Sequence, residues 1–448
     1  MSDRVIRRLP VDTGASGWLA ISRRTLPVRA LDGDIHADWL IVGAGFAGLS
    51  AARRLSQLRP NDTIVVLDAA EVGQGPAGRN SGFMIDVPHN LSSGEYSVAD
   101  EASTALEIAQ NRLAIAFAAE AAREYGMSDA TFDPAGKINA AATARGLGLN
   151  EKYALSLARI GERHEMLDAA AMREMTGSSH YLGGLYTPGA VIIQPADYIR
   201  GLAAGLQGRI DLRENSPVVA LGRDGRNWRA RSHRGSVTAP KVILGVNGHI
   251  QEFGHFRGRL MHIFTYASMT RPFSAAEFGG QAAGRACWGV LPADPMGATV
   301  RKITTGDRSR IVIRTRYTYE PSIEVSQGRV ARIAAEQRRS FDARFPDLAS
   351  LPFEFSWAGR VCLSLNHVPA FGEIEENLYS ACCENGLGTV KSTLAGMMAA
   401  ELATGQKSEQ LDKYLDQPKP SRLPPEPLAW LGASAVIRWQ EMRAGREG

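Results

Sequence analysis

The sequence predicts an α/β protein in which a domain built on a parallel β-sheet carries an inserted α+β domain built on an antiparallel sheet. Between residues 37 and 68 an apolar strand, a glycine-rich turn, a helix and a second apolar strand follow one another. This order is a βαβ unit, which requires a parallel sheet. Segment 257–352 instead alternates polar and apolar residues, as antiparallel strands with one solvated face do. Parallel-sheet character returns near Leu378, so the first domain must be assembled from separate stretches of chain.

The composition is that of an ordinary globular protein with more than one domain. The chain has 448 residues, of which 44% are hydrophobic and 22% are charged. These values exclude a disordered chain, a collagen-like repeat and a coiled coil. Lys and Arg number 51 and Asp and Glu number 47, giving a net charge of +4. Because this charge is too weak for a dedicated nucleic-acid-binding protein, no nucleic-acid partner is expected.

Cysteine spacing and apolar runs bear on the cellular compartment. The four cysteines are Cys287, Cys362, Cys382 and Cys383, and none of them forms a CxxC pair. Neither a zinc site nor a disulfide framework is therefore expected, and no bound metal. No stretch reaches the ~20 apolar residues of a membrane-spanning helix, and no apolar segment follows the basic start, so a secretory signal is not expected either. A reduced, cytoplasmic protein is predicted.

The βαβ unit carries a dinucleotide-binding signature. Its first strand, Ala37–Val42, leads directly into Gly43, Gly45 and Gly48, a GxGxxG turn that opens a helix. The glycines permit a tight turn, a close backbone approach to a pyrophosphate and close helix–strand packing, and the helix N-terminus offers free N–H groups. Asp68 ends the second strand about 20 residues after Gly48, where a carboxylate accepts hydrogen bonds from a ribose. A Rossmann-like dinucleotide site is a stronger interpretation than an ordinary turn with an incidental acid.

A second glycine-rich loop, Gly73–Met84, follows immediately and indicates which dinucleotide is bound. Its Arg79, Asn80 and Ser81 can supply hydrogen-bond donors, and its glycines permit close backbone contact with a ligand. A nicotinamide enzyme has no need of such a loop at this place, whereas a flavoenzyme must hold a permanently bound FAD along its whole length. The alternative is a flexible surface loop. The two loops together favour FAD.

The remaining elements follow in order along the chain. Helices are expected over Asp100–Tyr125, Glu151–Met175, Val325–Phe345 and from the turn at Gly388 to Leu402. Strands are expected over Val191–Ile193, Val218–Leu221, Lys241–Val246, Ile263–Thr270, Arg310–Tyr319 and Leu378–Cys383. The proline-rich Gln417–Pro427 is typical of a linker or surface strap.

The segment Leu428–Trp439 alternates apolar and small residues at helical spacing. Two interpretations are open. We favour a terminal helix packed on its own protein over a helix that docks on a membrane surface or on a partner. Membrane association is therefore not expected, although this helix leaves it open.

At this point the sequence resembles the FAD-dependent D-amino-acid-oxidase (DAO) superfamily over roughly Ala37–Gly405. The loop Gly78–Gly82 is most similar to the GRNGG-type loop of γ-glutamylputrescine oxidases and related bacterial amine oxidases. Trp357–Arg360 and Asn366–Gly372 resemble the family pattern W-x-G … D-x-x-P-x-x-G, with Asn366 where an Asp is frequent. The resemblance implies a glutathione-reductase-type FAD-binding domain of Rossmann-like fold and an inserted substrate domain.

The resemblance also assigns residues to the cofactor. Val218 is similar to a valine whose backbone contacts the adenine, and Asn247 and Gly248 lie in a turn that closes over the cofactor. A C-terminal G-x-G loop and the helix after it face the flavin. The implied FAD-binding residues are Gly43, Ala44, Gly45, Phe46, Ala47, Gly48, Asp68, Ala69, Gly78, Arg79, Asn80, Ser81, Gly82, Phe83, Met84, Val218, Asn247, Gly248, Gly386, Leu387, Gly388 and Thr389.

Two departures from the family are visible. Leu387 stands where members often have His in Gly-His-Gly. Relatives with a covalent flavin attach it through a cysteine in the C-terminal region, and Cys362 does not fall at that position when counted from the Asn366–Gly372 motif. The FAD is therefore expected to be bound non-covalently.

Candidate substrate contacts come from the inserted domain. Arg314, Arg316 and Tyr317 lie on one short strand, where period-two alternation places both arginines on one face and Tyr317 on the other. An arginine there could hold a substrate carboxylate in bidentate fashion, or it could belong to a solvated strand face. In sarcosine-oxidase relatives a lysine on the corresponding strand promotes the oxygen reaction, and Arg314 is expected at that place. Tyr266 and Lys391 are further candidates for the active site.

The expected function is oxidation of a small amine or amino acid by hydride transfer to FAD, with oxygen or another molecule as the electron acceptor. The imine formed would hydrolyse to a carbonyl compound. The alternatives are an FAD-dependent 2-hydroxy-acid dehydrogenase and an FAD-bearing subunit of a hetero-oligomeric dehydrogenase. The expected divisions of the chain are an N-terminal extension (1–36), an FAD-binding domain (37–95, 190–250 and 355–415), a substrate domain (96–189 and 251–354) and a C-terminal strap and helix (416–448).

Overall fold

The computed structural model of the protein describes residues 3–88, 101–279 and 284–448. Its helices are α1 (Gly17–Ala20), α2 (Phe46–Leu58), α3 (Glu101–Glu124), α4 (Ala144–Arg159), α5 (Ala169–Thr176), α6 (Pro195–Gly205), α7 (Gln327–Arg344), α8 (Gly388–Ala403), α9 (Glu409–Leu415) and α10 (Leu428–Ala444). Its strands are β1 (Arg4–Val5), β2 (Gly33–His36), β3 (Trp39–Val42), β4 (Ile64–Leu67), β5 (Phe83–Met84), β6 (Phe132–Asp133), β7 (Lys137–Ala141), β8 (Glu165–Asp168), β9 (Gly183–Thr187), β10 (Val191–Ile193), β11 (Asp211–Arg213), β12 (Ala220–Asp224), β13 (Asn227–Ser232), β14 (Gly235–Ala239), β15 (Lys241–Leu244), β16 (Leu260–Thr270), β17 (Phe273–Ser274), β18 (Trp288–Pro292), β19 (Thr299–Thr305), β20 (Arg308–Tyr319), β21 (Phe353–Ser364), β22 (Ala370–Glu375) and β23 (Leu378–Cys382).

A parallel sheet in the order β11–β4–β3–β15–β23–β22 forms the first half of the molecule, and its pairs are parallel except for β22–β23. Strands β3 and β4 are buried along their whole length. Helices α2 and α8 contribute to the apolar cluster on one face, and strands β12, β13 and β14 contribute to the cluster on the other. A sheet covered on both faces explains why these strands are apolar without alternation.

The stretch expected to be an N-terminal extension takes part in this arrangement. Strands β1 and β2 are the two edges of a sheet in the order β1–β12–β13–β14–β2. β1 pairs with β12 and β2 pairs with β14, so both ends of the small sheet come from residues before the βαβ unit.

An extended, mainly antiparallel sheet forms the second half, in the order β21–β16–β20–β19–β18–β7–β9–β8, with β17 paired to β20. One pair within it, β18–β7, is parallel. Helix α7 packs on this sheet through Val330 and Ile333, which join Phe264 and Tyr266 in one buried cluster. The predicted α/β fold with an antiparallel second part is confirmed. Strand β21 lies in the antiparallel sheet, although the division drawn at residue 355 places most of it with the FAD-binding part.

One helix prediction is wrong, and another extends past the described residues. The chain between residues 151 and 175 is not a single helix, because α4 ends at Arg159, strand β8 follows and α5 begins at Ala169. The break comes at Gly161, which adopts a φ of +75° that favours glycine. Asp168 then caps α5 by accepting a hydrogen bond from the Ala171 N–H at 2.8 Å. The predicted start of α3 at Asp100 lies outside the described residues.

The C-terminal segment is tied to the second half of the molecule. Glu441 of α10 accepts hydrogen bonds from the Arg316 side chain at 2.9 Å and the Tyr317 N–H at 3.0 Å. Glu447 accepts from the backbone N–H groups of Ala142 and Thr143 at 2.9 and 3.0 Å. The inner side of α10 thus packs on its own chain, in agreement with the interpretation that we favour from the sequence. Within the described ranges, no helix is long and apolar enough to cross a membrane.

Candidate functional site

A cavity of about 1100 Å³ lies at the carboxyl ends of the parallel strands. Val42, Leu67 and Gly245, which end or follow β3, β4 and β15, form part of its wall. Strands β16, β20 and β21 of the antiparallel sheet, together with α10, supply the opposite wall. The crevice beyond the carboxyl ends of parallel strands is where open α/β sheets bind their ligands.

The GxGxxG turn shapes one end of this cavity. Gly43 has a φ of +102°, and a Cβ atom there would lie 2.6 Å from the Gly245 carbonyl oxygen. At Gly48 a Cβ atom would lie 1.7 Å from the Gly43 carbonyl oxygen. The turn therefore requires glycine at both positions if α2 is to start directly above β3. Gly45 is the N-cap of α2, and among the described residues no side chain caps this helix.

Asp68 holds the end of β4 against the same turn. Its carboxylate accepts hydrogen bonds from the Ala44 N–H at 2.6 Å and the Ala70 N–H at 2.9 Å. Burial raises the pKa of Asp68 to about 6, against the effect of these two N–H groups, which lower it. Asp68 lines the cavity, and its carboxylate has more acceptor sites than these two N–H groups use.

The second glycine loop is held by its own polar side chains. The buried guanidinium of Arg79 donates to the carbonyl oxygens of Gln74 at 2.6 Å, Thr13 at 3.0 Å and Ala358 at 3.2 Å, and burial lowers its pKa. Asn80 donates to the Ala77 carbonyl at 2.7 Å and accepts from the Gly82 N–H at 2.8 Å. Both side chains line the cavity, but the donors predicted for a ligand are largely used within the protein, because buried polar groups need partners.

A second helix N-terminus opens into the same cavity. Helix α8 starts at Gly388 after the N-cap residue Leu387, and no described side chain caps it. Neither α2 nor α8 has an acidic residue in its first turn. Free N–H groups and two positive helix-dipole ends therefore meet in one space, which suits a ligand with negative charge or electron-rich oxygens at two places.

An unpartnered polar atom supports the presence of a ligand. Asn247 has a φ of +49°, lines the cavity, and has a buried Oδ1 without a hydrogen-bond partner among the described residues. A buried acceptor left unpaired costs roughly 1–3 kcal/mol, so a ligand donor at this place would remove that cost. Two glycine-shaped walls, two open helix ends and this acceptor fit an extended dinucleotide.

Most of the sequence-predicted cofactor positions come together here. The positions that line the cavity are Gly43, Ala44, Gly45, Phe46, Ala47, Asp68, Ala69, Arg79, Asn80, Ser81, Gly82, Phe83, Val218, Asn247, Gly248, Gly386, Leu387, Gly388 and Thr389. Gly48, Gly78 and Met84 do not line it. A Cβ atom on Gly78 would lie 1.9 Å from the Gly73 carbonyl oxygen, and Met84 is fully buried on β5. These three positions shape the walls from behind.

The predicted side-chain directions on β20 are wrong for two residues. The pairing of β16 with β20 shifts between Thr265 and Tyr266, and Arg316 at the shift has a φ of +64°. Such a bulge breaks the two-residue alternation of a strand. Arg314 and Tyr317 consequently share the cavity face and are hydrogen-bonded to each other. Arg316 is directed away from the cavity.

Arg316 is engaged by acids of two helices. Its guanidinium lies 2.8 Å from the Glu336 carboxylate of α7 and 2.9 Å from the Glu441 carboxylate of α10. The bulge thus serves two purposes. It ties the outer side of β20 to the helices and brings Arg314 together with Tyr317 on the inner side.

The other two catalytic candidates have different surroundings. Tyr266 does not line the cavity, because it is buried under α7, and its hydroxyl lies 2.6 Å from the Thr318 hydroxyl. Its strand neighbour Thr265 faces the cavity instead. Lys391, in the first turns of α8, lines the cavity and forms an ion pair of 2.5 Å with Glu107 of α3.

Several residues of the wall were not predicted. Arg360 binds the Asp12 carboxylate through two contacts of 3.0 Å, and burial lowers the pKa of Arg360. His262 also lines the cavity, and burial lowers its pKa to about 4. The W-x-G-R motif could have indicated Arg360. Asp12 lies in the N-terminal stretch and carries no motif in the sequence.

Glu384 is a further unpredicted group in the wall. It directly precedes the C-terminal glycine loop, lines the cavity and is 7% exposed. Burial raises its pKa to about 7, while backbone hydrogen bonding and the Ser392 hydroxyl act in the opposite direction. Its carboxyl group can therefore exchange a proton near neutral pH.

The fold and the cavity together define a dinucleotide-binding protein with a Rossmann-like half and an antiparallel half. The sequence model of the DAO family, described as "FAD dependent oxidoreductase", matches residues 38–402. The chain belongs to this family, which confirms the resemblance seen in the sequence.

Curated relatives and solved structures are also similar to the chain. The chain is 25% identical over 396 residues to "Probable oxidoreductase OrdL" of Haemophilus influenzae, covering 83% of each chain. It is 24% identical over 428 residues to "Gamma-glutamylputrescine oxidoreductase" of Escherichia coli, covering 90% of this chain and 92% of the relative. Glycine oxidase from Geobacillus kaustophilus superposes with a TM-score of 0.67 at 19% identity, covering 84% of this chain and 96% of the other, and shows a shared fold.

Replacement of Asp68 tests its contribution to cofactor binding. Asp68→Ala should weaken the binding of FAD by roughly 10- to 100-fold, because a charged acceptor worth about 1.5–3 kcal/mol is lost. Asp62→Ala is the matched control, since Asp62 also accepts a hydrogen bond within the βαβ unit, from Trp39 at 2.8 Å, but does not line the cavity. Titration of apoprotein with FAD measures both. Equal dissociation constants for Asp68→Ala and wild type would contradict the assignment.

The raised pKa of Glu384 predicts a pH dependence of stability. The folded protein keeps this proton up to about pH 7, whereas the unfolded carboxyl loses it near pH 4.5, so the free energy of unfolding falls as pH rises between these values. Glu384→Gln should remove this fall, which is on the order of 1–3 kcal/mol. Thermal unfolding from pH 5 to 8 would show it as a difference from wild type. Glu376→Gln, at an exposed site, should leave the pH dependence of stability unchanged. If Glu384→Gln showed the same pH dependence as the wild type, the raised pKa of Glu384 would be refuted.

Proposed function

We propose that the protein is an FAD-dependent oxidase or dehydrogenase that oxidises the C–N bond of a small amine or amino acid bearing a carboxylate. Membership of the FAD dependent oxidoreductase family supports the redox class. Two of the similar proteins are named for gamma-glutamylputrescine and for glycine, compounds that carry both an amine and a carboxylate.

The surroundings of Arg314 indicate that the substrate bears a carboxylate. Arg314 lines the cavity and donates to the Thr299 hydroxyl at 2.9 Å, the Ser81 hydroxyl at 3.4 Å and the Tyr317 hydroxyl, all of them neutral. Of the described residues, no carboxylate lies within 4.0 Å of it. The neighbouring cations Arg360 and Lys391 each have an acid at 3.0 and 2.5 Å. A half-buried guanidinium without an acid is ready to bind one from the substrate.

The proposed cofactor contacts follow from the walls described above. The N-terminus of α2 would hold the pyrophosphate, Asp68 the ribose, and the backbone at Val218 the adenine. The loop Gly78–Gly82 and the N-terminus of α8 would hold the flavin end. Bound FAD supplies a two-electron acceptor for the hydride that leaves the carbon next to a neutral amine, and the imine so formed hydrolyses to a carbonyl compound.

The chain's own residues would orient the substrate and keep it reactive. Arg314 would bind the carboxylate in bidentate fashion, and the Tyr317 hydroxyl would help to fix the guanidinium. A cation beside the binding site also opposes protonation of the substrate amine, which must be neutral to lose hydride. The N–H groups that start α8 would stabilise negative charge that develops nearby.

We propose that FAD is held without a covalent bond. Cys362 is the cysteine of the cavity wall, and its side chain is 2% exposed. A hydrogen bond with Cys383 and burial both raise the pKa of the Cys362 thiol. A thiol kept protonated in this way is a poor nucleophile.

The division of the chain into domains, the electron acceptor and the role of Lys391 belong to the same proposal. Residues 37–95, 190–250 and 355–415 would hold FAD, and residues 96–189 and 251–354 would form the substrate side, between the N-terminal stretch 1–36 and the C-terminal stretch 416–448. The reduced cofactor would be reoxidised by oxygen or another acceptor. Lys391 would tie Glu107 of α3 to the start of α8, because the Glu107 carboxylate already pairs with its charge.

Neutralisation of Arg314 tests the proposal. Arg314→Gln should reduce kcat/KM for a carboxylate-bearing amine by roughly 10- to 100-fold, the value of one charged hydrogen-bond pair. The amide or the decarboxylated analogue of the same amine should lose far less. Arg308→Gln is the matched control, because it removes the same charge from an exposed site on the same strand, outside the cavity and away from the bulge. Steady-state rates with a dye acceptor would be measured for both variants with both kinds of compound and compared with those of the wild type.

Three outcomes would contradict the proposal. Equal losses for acid and amide would show that Arg314 shapes the fold instead of binding substrate. Faster turnover of 2-hydroxy acids than of any amine would favour a 2-hydroxy-acid dehydrogenase. Inactivity of the purified flavin-loaded chain toward both classes would favour an FAD-bearing subunit of a larger enzyme.

A further inference from the structure

Helix α10 has two faces of different character. Its inner side, with Ala429, Ala433, Ile437 and Gln440, lines the cavity. Its opposite side is exposed and nevertheless apolar, because Leu431, Ala435, Trp439 and Met442, which do not line the cavity, recur there at intervals of three and four residues. Such intervals place side chains along one line of a helix. We call these four residues the outer stripe.

The outer stripe is unusually exposed for its composition. Leu431 is 54% exposed, Trp439 is 55% exposed and Met442 is 70% exposed. The stripe runs for about 16.5 Å, at 1.5 Å per residue. Single exposed apolar residues are ordinary, but a contiguous apolar line on the solvent side of a helix marks an interaction surface.

Basic residues flank this stripe in the sequence. Arg438 and Arg443 project from α10 itself. Arg438 lies 3.8 Å from the Glu441 carboxylate, which Arg316 already binds at 2.9 Å, and Arg443 lies with its Cζ atom 5.2 Å from the centre of the Trp439 ring. Lys419 and Arg422 precede the helix and Arg446 follows it, all exposed.

The acids of the same segment are fewer than its cations. Glu441 is bound to Arg316, Glu447 is buried against Thr143, and Glu426 accepts a hydrogen bond from Tyr319 at 2.6 Å. Residues 419–448 therefore carry five Lys or Arg residues against three acids, of which Glu441 and Glu447 are engaged within the protein.

This combination decides between possible occupants. A second copy of the helix would bring Arg438 and Arg443 against the same cations of the first copy, and Glu426 is the only exposed acid of residues 419–448 that could compensate them. An anionic lipid surface compensates every one of these charges and accepts the apolar side chains into its interfacial region. At such an interface a tryptophan can place its apolar ring toward the lipid while its N–H group stays in contact with water.

We propose that the outer stripe of α10 docks the protein on the surface of an anionic lipid bilayer, with the helix lying in the plane of the interface. The proposal is independent of the substrate assigned above, because it depends on the outer side of α10 alone. Its consequence is structural: the helix that meets the lipid also forms a wall of the cavity, so one edge of the cavity would face the membrane.

Vesicle binding by the full-length, flavin-loaded protein tests this docking. The protein should sediment with vesicles of phosphatidylglycerol and phosphatidylcholine mixed in equal parts, and should bind pure phosphatidylcholine vesicles at least tenfold more weakly. The triple variant Leu431→Ser/Trp439→Ser/Met442→Ser should lose at least tenfold in binding to the anionic vesicles. Arg438→Gln/Arg443→Gln should lose about fivefold per arginine, the value of one basic residue near such a surface.

Matched controls separate the stripe from general stickiness and charge. Leu155→Ser removes an apolar side chain that is 72% exposed on α4, and Arg163→Gln/Arg226→Gln removes two exposed arginines elsewhere. Both variants should bind like wild type. Flavin content and the unfolding midpoint should be unchanged in every variant, because all the altered side chains face solvent.

The outcomes are distinct. Loss of binding in the stripe variants with retention in the controls supports the proposal. Absence of binding to anionic vesicles, or equal binding by stripe and control variants, would overturn it. So would a concentration-dependent dimer, seen by light scattering without lipid, that the stripe variants abolish while vesicles remain unbound.

Discussion

The structure depends on how closely α2 approaches its neighbours. At Gly48 a side chain would lie 1.7 Å from the Gly43 carbonyl oxygen, and at Gly396 it would lie 2.1 Å from the Ala47 carbonyl oxygen. Backbone contact at these places holds α2 against the turn after β3 on one side and against α8 on the other. Because both helices are fixed in this way, their uncapped N-termini open into one cavity. The free N–H groups and positive dipole ends of the two helices make this cavity suited to a ligand with negative charge.

The rest of the molecule complements that arrangement with paired charge. Asp12 neutralises Arg360, and Glu107 neutralises Lys391. The bulge at Arg316 directs this side chain out of the cavity, where it forms ion pairs with Glu336 and Glu441. Arg314 remains inside the cavity with neutral partners. In this account the choice of substrate depends on one uncompensated guanidinium. Its position is set by a local irregularity in a strand and by a C-terminal helix that holds the irregularity from behind.

The sequence predicts the half of the site that local chemistry determines. Gly43, Gly48 and the Asp68 spacing specify a turn whose geometry leaves little choice, so the βαβ unit and the cavity wall around it could be predicted. The side-chain directions at Arg316 and Tyr317 could not, because a bulge arises from pairing with β16 and from contacts with α7 and α10. Asp12 could not be found for the same reason, since its role depends on Arg360, which is distant in sequence. Tyr266 shows the complementary error, because an aromatic residue on the right strand faces α7 instead of the cavity.

The central claim is that two helix N-termini and two glycine loops form a non-covalent site for FAD. The most direct measurement is the visible absorption spectrum of the purified protein, followed by acid precipitation and analysis of the supernatant. We predict flavin absorbance close to one equivalent per chain, with intact FAD released into the supernatant. Flavin that stays with the precipitate would contradict non-covalent binding, and a chain that neither carries nor takes up FAD would contradict the account of the cavity.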